Sequence, residues 1–172
     1  MHLPASYEYP NAPYFAEYLK FETEENLFEV LKNQSTEILH IFENLTKGQP
    51  EFAYEAGKWS LKGLLGHMVD SERIFSYRVL SISRGEKTAL PGFDENTYAA
   101  NGDASHRNWK DMLIEWRTVR QSTNLLFASF TPAQISTKGN CNGHDVTVNA
   151  LGFILFGHAL HHLHVLKERY DV

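Results

Sequence analysis

Hydrophobic positions in this chain recur at steps of three and four along four separate stretches, the spacing that lines one face of an α-helix. Leu27, Leu31, Ile38, Phe42 and Leu45 trace the first. It is entered through Thr23, a capping residue followed by Glu24 and Glu25, and ends at Lys47-Gly48-Gln49-Pro50. The second opens at Ser60 and runs through Leu64, His67/Met68, Ser71, Ile74/Phe75, Arg78/Val79 and Ile82 to Arg84-Gly85. The third is predicted to start near Ser105 and carries the most regular stripe: Trp109, Met112/Leu113, Trp116, Val119/Arg120, Thr123, Leu126/Phe127 and Phe130. Thr147 caps the fourth, whose stripe is Val148, Leu151, Leu155, His158, His162, Val165/Leu166 and Arg169.

The connecting stretches read differently. Residues 1–22 hold three prolines and four tyrosines and are expected to form an irregular arm lying against the body, with the domain proper in 23–172. Residues 85–104, with Pro91-Gly92-Phe93-Asp94-Glu95 and Asn101-Gly102-Asp103, read as a long crossover loop carrying carboxylates. Thr131-Pro132-Ala133-Gln134 has the signature of a capped single turn. Asn142-Gly143 is a hairpin signal, so a small two-stranded flap is expected just before Thr147. Four amphipathic helices of about 20 residues with one long loop predict an all-α four-helix bundle.

Candidate chemistry concentrates in Gly157-His158-Ala159-Leu160-His161-His162-Leu163-His164. His158 and His162 stand one turn apart on the apolar face, whereas His161 points about 60° off that line and His164 about 160° off His162. Such a pair suits a divalent metal, since two imidazoles can converge from successive turns; it also suits a hydrogen-bonded pair of core histidines. Spacing alone leaves both readings open. A zinc-protease motif is excluded, because Ala159 occupies the place of the general-base glutamate. His67 lies on or beside the apolar face of the second helix, and a bundle would let it reach the other two. Three imidazoles with a free fourth position is the ligand count of a catalytic metal site. Arg120 falls on the third stripe, its head either snorkelling to the rim or meeting an anionic partner.

Composition narrows the function. A chain of 172 residues is most simply one domain, and 42% hydrophobic with 22% charged residues is ordinary for a globular protein. A net charge of −5 with scattered Lys and Arg argues against a nucleic-acid groove or a polybasic membrane patch. Single Cys141 excludes an internal disulfide framework. No signal peptide or membrane span is evident, and a cytoplasmic protein is expected.

These residues carry a family likeness. Gly57-Lys58-Trp59-Ser60 through Gly66-His67-Met68-Val69-Asp70-Ser71-Glu72, followed by His158-Ala159-Leu160-His161-His162 after a Thr-capped helix start, resembles the DinB-like superfamily, most of all its YfiT-type branch. The resemblance covers about residues 25–170 and implies a divalent metal (Zn, Ni, Fe or Mn) held by His67, His158 and His162, with His161 as the non-ligand neighbour. It further implies either hydrolysis or transfer of a low-molecular-weight thiol to a small electrophile through a metal-bound thiolate. A thiol transfer needs chiefly the thiolate, whereas amide hydrolysis also needs a proton donor, and none stands at clear motif spacing; thiol transfer is therefore the first expectation. A metal-bearing bundle that binds a small ligand without turnover is the third. Arg120 and the Asp94-Glu95 loop are candidates for contacting the polar parts of a thiol. The expected partners are a small-molecule thiol and electrophile, not nucleic acid or membrane, with a homodimer left open. Metal affinity is expected to fall as pH drops through the ordinary histidine range near ~6.5.

Overall fold

A computed structural model describes residues 1–10, Tyr18 and 27–172, with the side chains of 27–32 excepted. Four long helices dominate it: α1 (Leu27–Glu43), α2 (Leu61–Ser83), α4 (Trp109–Ala128) and α6 (Val148–Arg169). The shorter α3 (Glu95–Gly102) and the single turn α5 (Pro132–Ile135) lie in the connections, and β1 (Lys138–Cys141) pairs antiparallel with β2 (His144–Thr147). This is the expected four-helix bundle. The helices pack as a ring in which α2 and α1 each touch α4 and α6.

Local chemistry sets most boundaries. The Ser60 side chain accepts from Gly63 N to start α2, and the Thr147 side chain accepts from Ala150 N to start α6. Thr131 and Gln134 form the reciprocal capping box at α5. The hairpin turns through Asn142 (φ 54°) and Gly143 (φ 79°), the two positive angles that a tight two-residue turn requires. Two expectations need correction. α4 begins at Trp109, because Asn108 accepts from both Lys110 N and Asp111 N, while Ser105 belongs to a preceding 3-10 turn. The crossover is not all loop: Asp94 accepts from Thr97 N and initiates α3. The Thr23 start of the first helix lies outside the described residues.

The N-terminal decapeptide is bound to the body by a buried carboxylate. Glu8, 3% exposed, accepts from Ala5 N, Thr147 Oγ1 and Asn149 Nδ2, and Thr147 N donates to the Glu8 carbonyl. Burial alone would raise the Glu8 carboxyl, but these hydrogen bonds outweigh it and hold it below the usual carboxylate range. Among the described residues no helix is long and apolar enough to cross a membrane.

Two apolar cores are stacked along the bundle. One gathers Phe75, Val79 and Ile82 of α2 with Phe127 of α4, Val146, and Leu151, Ile154 and Leu155 of α6. The other gathers Ile38 and Phe42 of α1, Leu61, Leu65 and Met68 of α2, Trp116 of α4, and Leu163 and Leu166 of α6. At the level between them every helix contributes polar side chains. Gln34 Nε2 donates to the Phe156 carbonyl at 3.1 Å, His67 and Glu72 come from α2, Arg120 and Thr123 from α4, and His158 and His162 from α6.

Glu72 and Arg120 form a buried ion pair in this layer, 3.2 Å apart and 3% and 1% exposed. The Arg120 Cζ lies 4.8 Å from the Trp116 ring centroid, a further offset to its desolvation. Removing one member of such a pair leaves an uncompensated buried charge, which typically costs about 3–5 kcal/mol. Arg120→Met should therefore lower urea-unfolding stability by about that amount, and adding Glu72→Met should recover a large part of the loss. A loss in the double variant equal to the sum of the losses of Arg120→Met and Glu72→Met alone would show that the two charges are not coupled.

Candidate metal centre

His67, His158 and His162 bring their Nε2 atoms together where the two cores meet. The three separations are 3.0 Å (His67–His158), 3.1 Å (His67–His162) and 3.2 Å (His158–His162). Such a triangle cannot be closed by hydrogen bonds. A protonated Nε2 donates and a bare one accepts, so at most two of the three edges can pair a donor with an acceptor. A cation at the centre takes the lone pair of all three. A triangle of 3.0–3.2 Å edges has its centre within about 2 Å of each corner, a metal–imidazole bond length. The donor set therefore fits a divalent first-row ion.

Packing holds the imidazoles in place. The Trp59 ring lies 4.6 Å from that of His67, and the Phe75 ring 6.0 Å from that of His158. Gly157 adds a close approach: a Cβ there would fall 2.0 Å from the Tyr18 carbonyl oxygen, so the missing side chain lets the Tyr18 backbone pack onto α6. The Tyr18 ring then stands edge-on to His158, with centroids 5.5 Å apart. His162 Nδ1 is buried with no hydrogen-bond partner among the described residues, so packing fixes this ring.

Burial, with His161 nearby, pushes His67 from the usual 6.5 down to about 4. Burial likewise holds His158 and His162 well below the usual value, and the neighbouring imidazoles act in the same direction. All three are thus neutral, the state in which imidazole binds a metal, well below the pH window expected from ordinary histidines.

The triad forms one wall of a cleft of about 400 Å³. Trp59, Phe75 and Phe93 give it aromatic sides, and Arg78, Glu95 and Asn142 supply polar groups. Two connections deliver that outer wall. Leu90 N donates to the Asn140 carbonyl and Asn142 N to the Leu90 carbonyl, both at 2.9 Å, so the crossover runs beside the hairpin. Phe93, Glu95 and Asn142 are thereby placed opposite the histidines.

The candidate residues named from the sequence are sorted by this geometry. His67, His158 and His162 meet, and His161 lines the same cleft beside them. Arg120 neither snorkels nor reaches the cleft lining; it is held inside the bundle by Glu72. Asp94 is exposed and spends a carboxylate oxygen on the start of α3, while its neighbour Glu95 lines the cleft. Arg78 was readable only as a stripe residue, yet it is the cleft's arginine. Its signal was weak, since Arg78/Val79 share one step of the apolar stripe.

The sequence profile of the DinB superfamily matches residues 31–166. The chain belongs to the DinB superfamily. Among solved structures it is similar to YfiT from Bacillus subtilis, with a TM-score of 0.76, 16% identity and 97% of each chain covered. That protein is described as "a probable metal-dependent hydrolase with an unusual four-helix bundle topology". At this identity the likeness establishes the fold. No curated protein sequence matches the chain.

For this DinB-superfamily member the buried triad has a consequence in pH. The unfolded chain takes up protons on these histidines below about 6.5, whereas the folded metal-free protein does not until far lower pH. The unfolded state then binds more protons, so stability falls as pH falls. Thermal melts of metal-stripped protein should drop progressively from about pH 6.5 towards about 4, and His67→Gln should flatten that slope. A pH-independent difference between the two proteins across that window would contradict buried neutral imidazoles.

Proposed function

We propose that this protein is a metal-dependent enzyme that joins a small thiol to a soft electrophile, with the ion held by His67, His158 and His162. The observation that carries the reading is the Nε2 triangle opening into a cleft with aromatic sides. A divalent ion bound there supplies Lewis acidity that lowers the pKa of a coordinated thiol. The residues of the chain do the rest. Three neutral imidazoles leave the ion's charge undiminished, unlike a carboxylate or thiolate ligand set. Trp59, Phe75 and Phe93 exclude water from the walls and suit an apolar or polarisable substrate.

Metal-dependent hydrolysis is the second reading, and a specific observation favours it. The absence of a proton donor counted against it in the sequence, but folding brings Glu95 and His161 to the cleft lining. His161, beside the triad, would deliver the proton to a leaving group held there. The fold likeness to a protein described as a probable metal-dependent hydrolase points the same way.

Metal analysis and a substrate panel separate these readings. His67→Ala, His158→Ala and His162→Ala should each lose stoichiometric metal, whereas His164→Ala should keep it. Thiols of different structure, offered with a chromogenic haloarene, should be conjugated only by metal-loaded protein, and one thiol should be preferred. Losing a ligand should reduce the rate by more than the roughly 10–100-fold typical of changes around a metal's ligands. Turnover of esters or amides with no thiol conjugation would install the hydrolase reading. Full metal content in His67→Ala would remove the site assignment itself.

A further inference from the structure

The cleft contains a cation that no carboxylate of the described chain answers. Arg78 is 4% exposed, yet its side chain lines the same cleft as the three histidines. Its Cζ lies 5.7 Å from the Phe75 ring centroid and 5.9 Å from that of Phe93. Nη2 donates to the Pro91 carbonyl at 2.7 Å. These contacts fix the guanidinium between α2 and the crossover. They use one hydrogen bond of a head that carries five N–H donors, and among the described residues no other is formed.

The comparison with Arg120 is instructive. Both arginines are buried and the contrast is one of charge. Arg120 faces the Glu72 carboxylate at 3.2 Å, although none of its nitrogens completes a hydrogen bond among the described residues, while Arg78 has two aromatic faces and a carbonyl. Aromatic faces offset part of the cost of drying a guanidinium and leave its hydrogen-bonding capacity unused. A rigidly held planar fork with free donors at the edge of a cleft is a preformed seat for a planar anion.

We infer that Arg78 binds a carboxylate on the small molecule that the cleft takes, and so orients its other end towards His67, His158 and His162. This rests on the reading of the cleft as a substrate site. The Phe75 ring spans the two ends, its centroid 6.0 Å from that of His158 and 5.7 Å from the Arg78 Cζ. One aromatic ring thus separates the seat from the imidazoles, a span that a short chain of atoms bridges. At the Arg78 end, away from the ion site, the local charge favours a carboxylate over a phosphate. A single guanidinium matches one negative charge, and Glu95 on the same lining opposes a second.

The test compares 3-sulfanylpropanoate with 3-sulfanylpropanamide, which share size and thiol and differ in charge, with inorganic phosphate as a third ligand. Binding is measured by calorimetry on metal-loaded and metal-stripped wild type, Arg78→Gln and Arg78→Lys. Wild type should bind the acid at least about tenfold more tightly than the amide, with or without metal. Arg78→Gln should abolish that preference at unchanged metal content, and Arg78→Lys should retain part of it. Equal affinities for acid and amide in wild type would overturn the inference, even if a variant failed to fold. So would a preference that survives Arg78→Gln, one confined to metal-loaded protein (a carboxylate on the ion), or phosphate binding more tightly than the acid. A parallel conjugation assay keeps the two readings apart. Acid preference without thiol turnover leaves Arg78 assigned and retires the transferase, and conjugation of acid and amide with equal KM does the reverse.

Discussion

The bundle is organised around the cost of placing polar groups between two apolar cores. Imidazoles and a charged pair at that depth must find partners or destabilise the fold. Glu72 and Arg120 answer one another across α2 and α4. The three histidines cannot do the same, because a triangle of nitrogens admits no complete donor–acceptor pairing. Their arrangement becomes favourable when a cation supplies a common partner. The same geometry that makes the metal-free layer costly gives three nitrogens converging on one point.

Burial also sets the chemistry. Dry surroundings keep the imidazoles neutral, so each retains one ring nitrogen with a lone pair. Arg120 works in the same direction, since its positive charge further disfavours a protonated His158. The ion pair therefore has an electrostatic link to the triad even though it stands apart from the cleft. Protein stability and readiness of the site share one polar layer.

The outer wall has a different origin. The hairpin and the crossover meet through backbone hydrogen bonds at Leu90, and the Asn142 side chain lies against Gly92, where a Cβ would fall 2.1 Å from its Oδ1. These connections thus place Phe93, Glu95 and Asn142 opposite helical residues, a common division between rigid scaffold and loop-borne contacts.

Four helical stripes, the caps at Ser60 and Thr147, the Thr131-capped single turn and the Asn142-Gly143 turn were legible in the sequence because each depends on neighbours within a few residues. The triad was partly legible for the same reason. His158 and His162 share a face by helical spacing, and His67 falls on the core face of another helix. Other features depended on tertiary structure. Arg120 could equally have snorkelled, and only Glu72 arriving from α2 decides that it is buried. Arg78 and Val79 occupy one step of a stripe, and only the crossover closing over α2 makes Arg78 a cleft residue. Asp94 and Glu95 are adjacent, and the start of α3 turns the first into a cap and leaves the second to the cleft. Periodicity fixes the direction of a side chain about its own helix axis; what stands opposite is set by packing between segments distant in the chain.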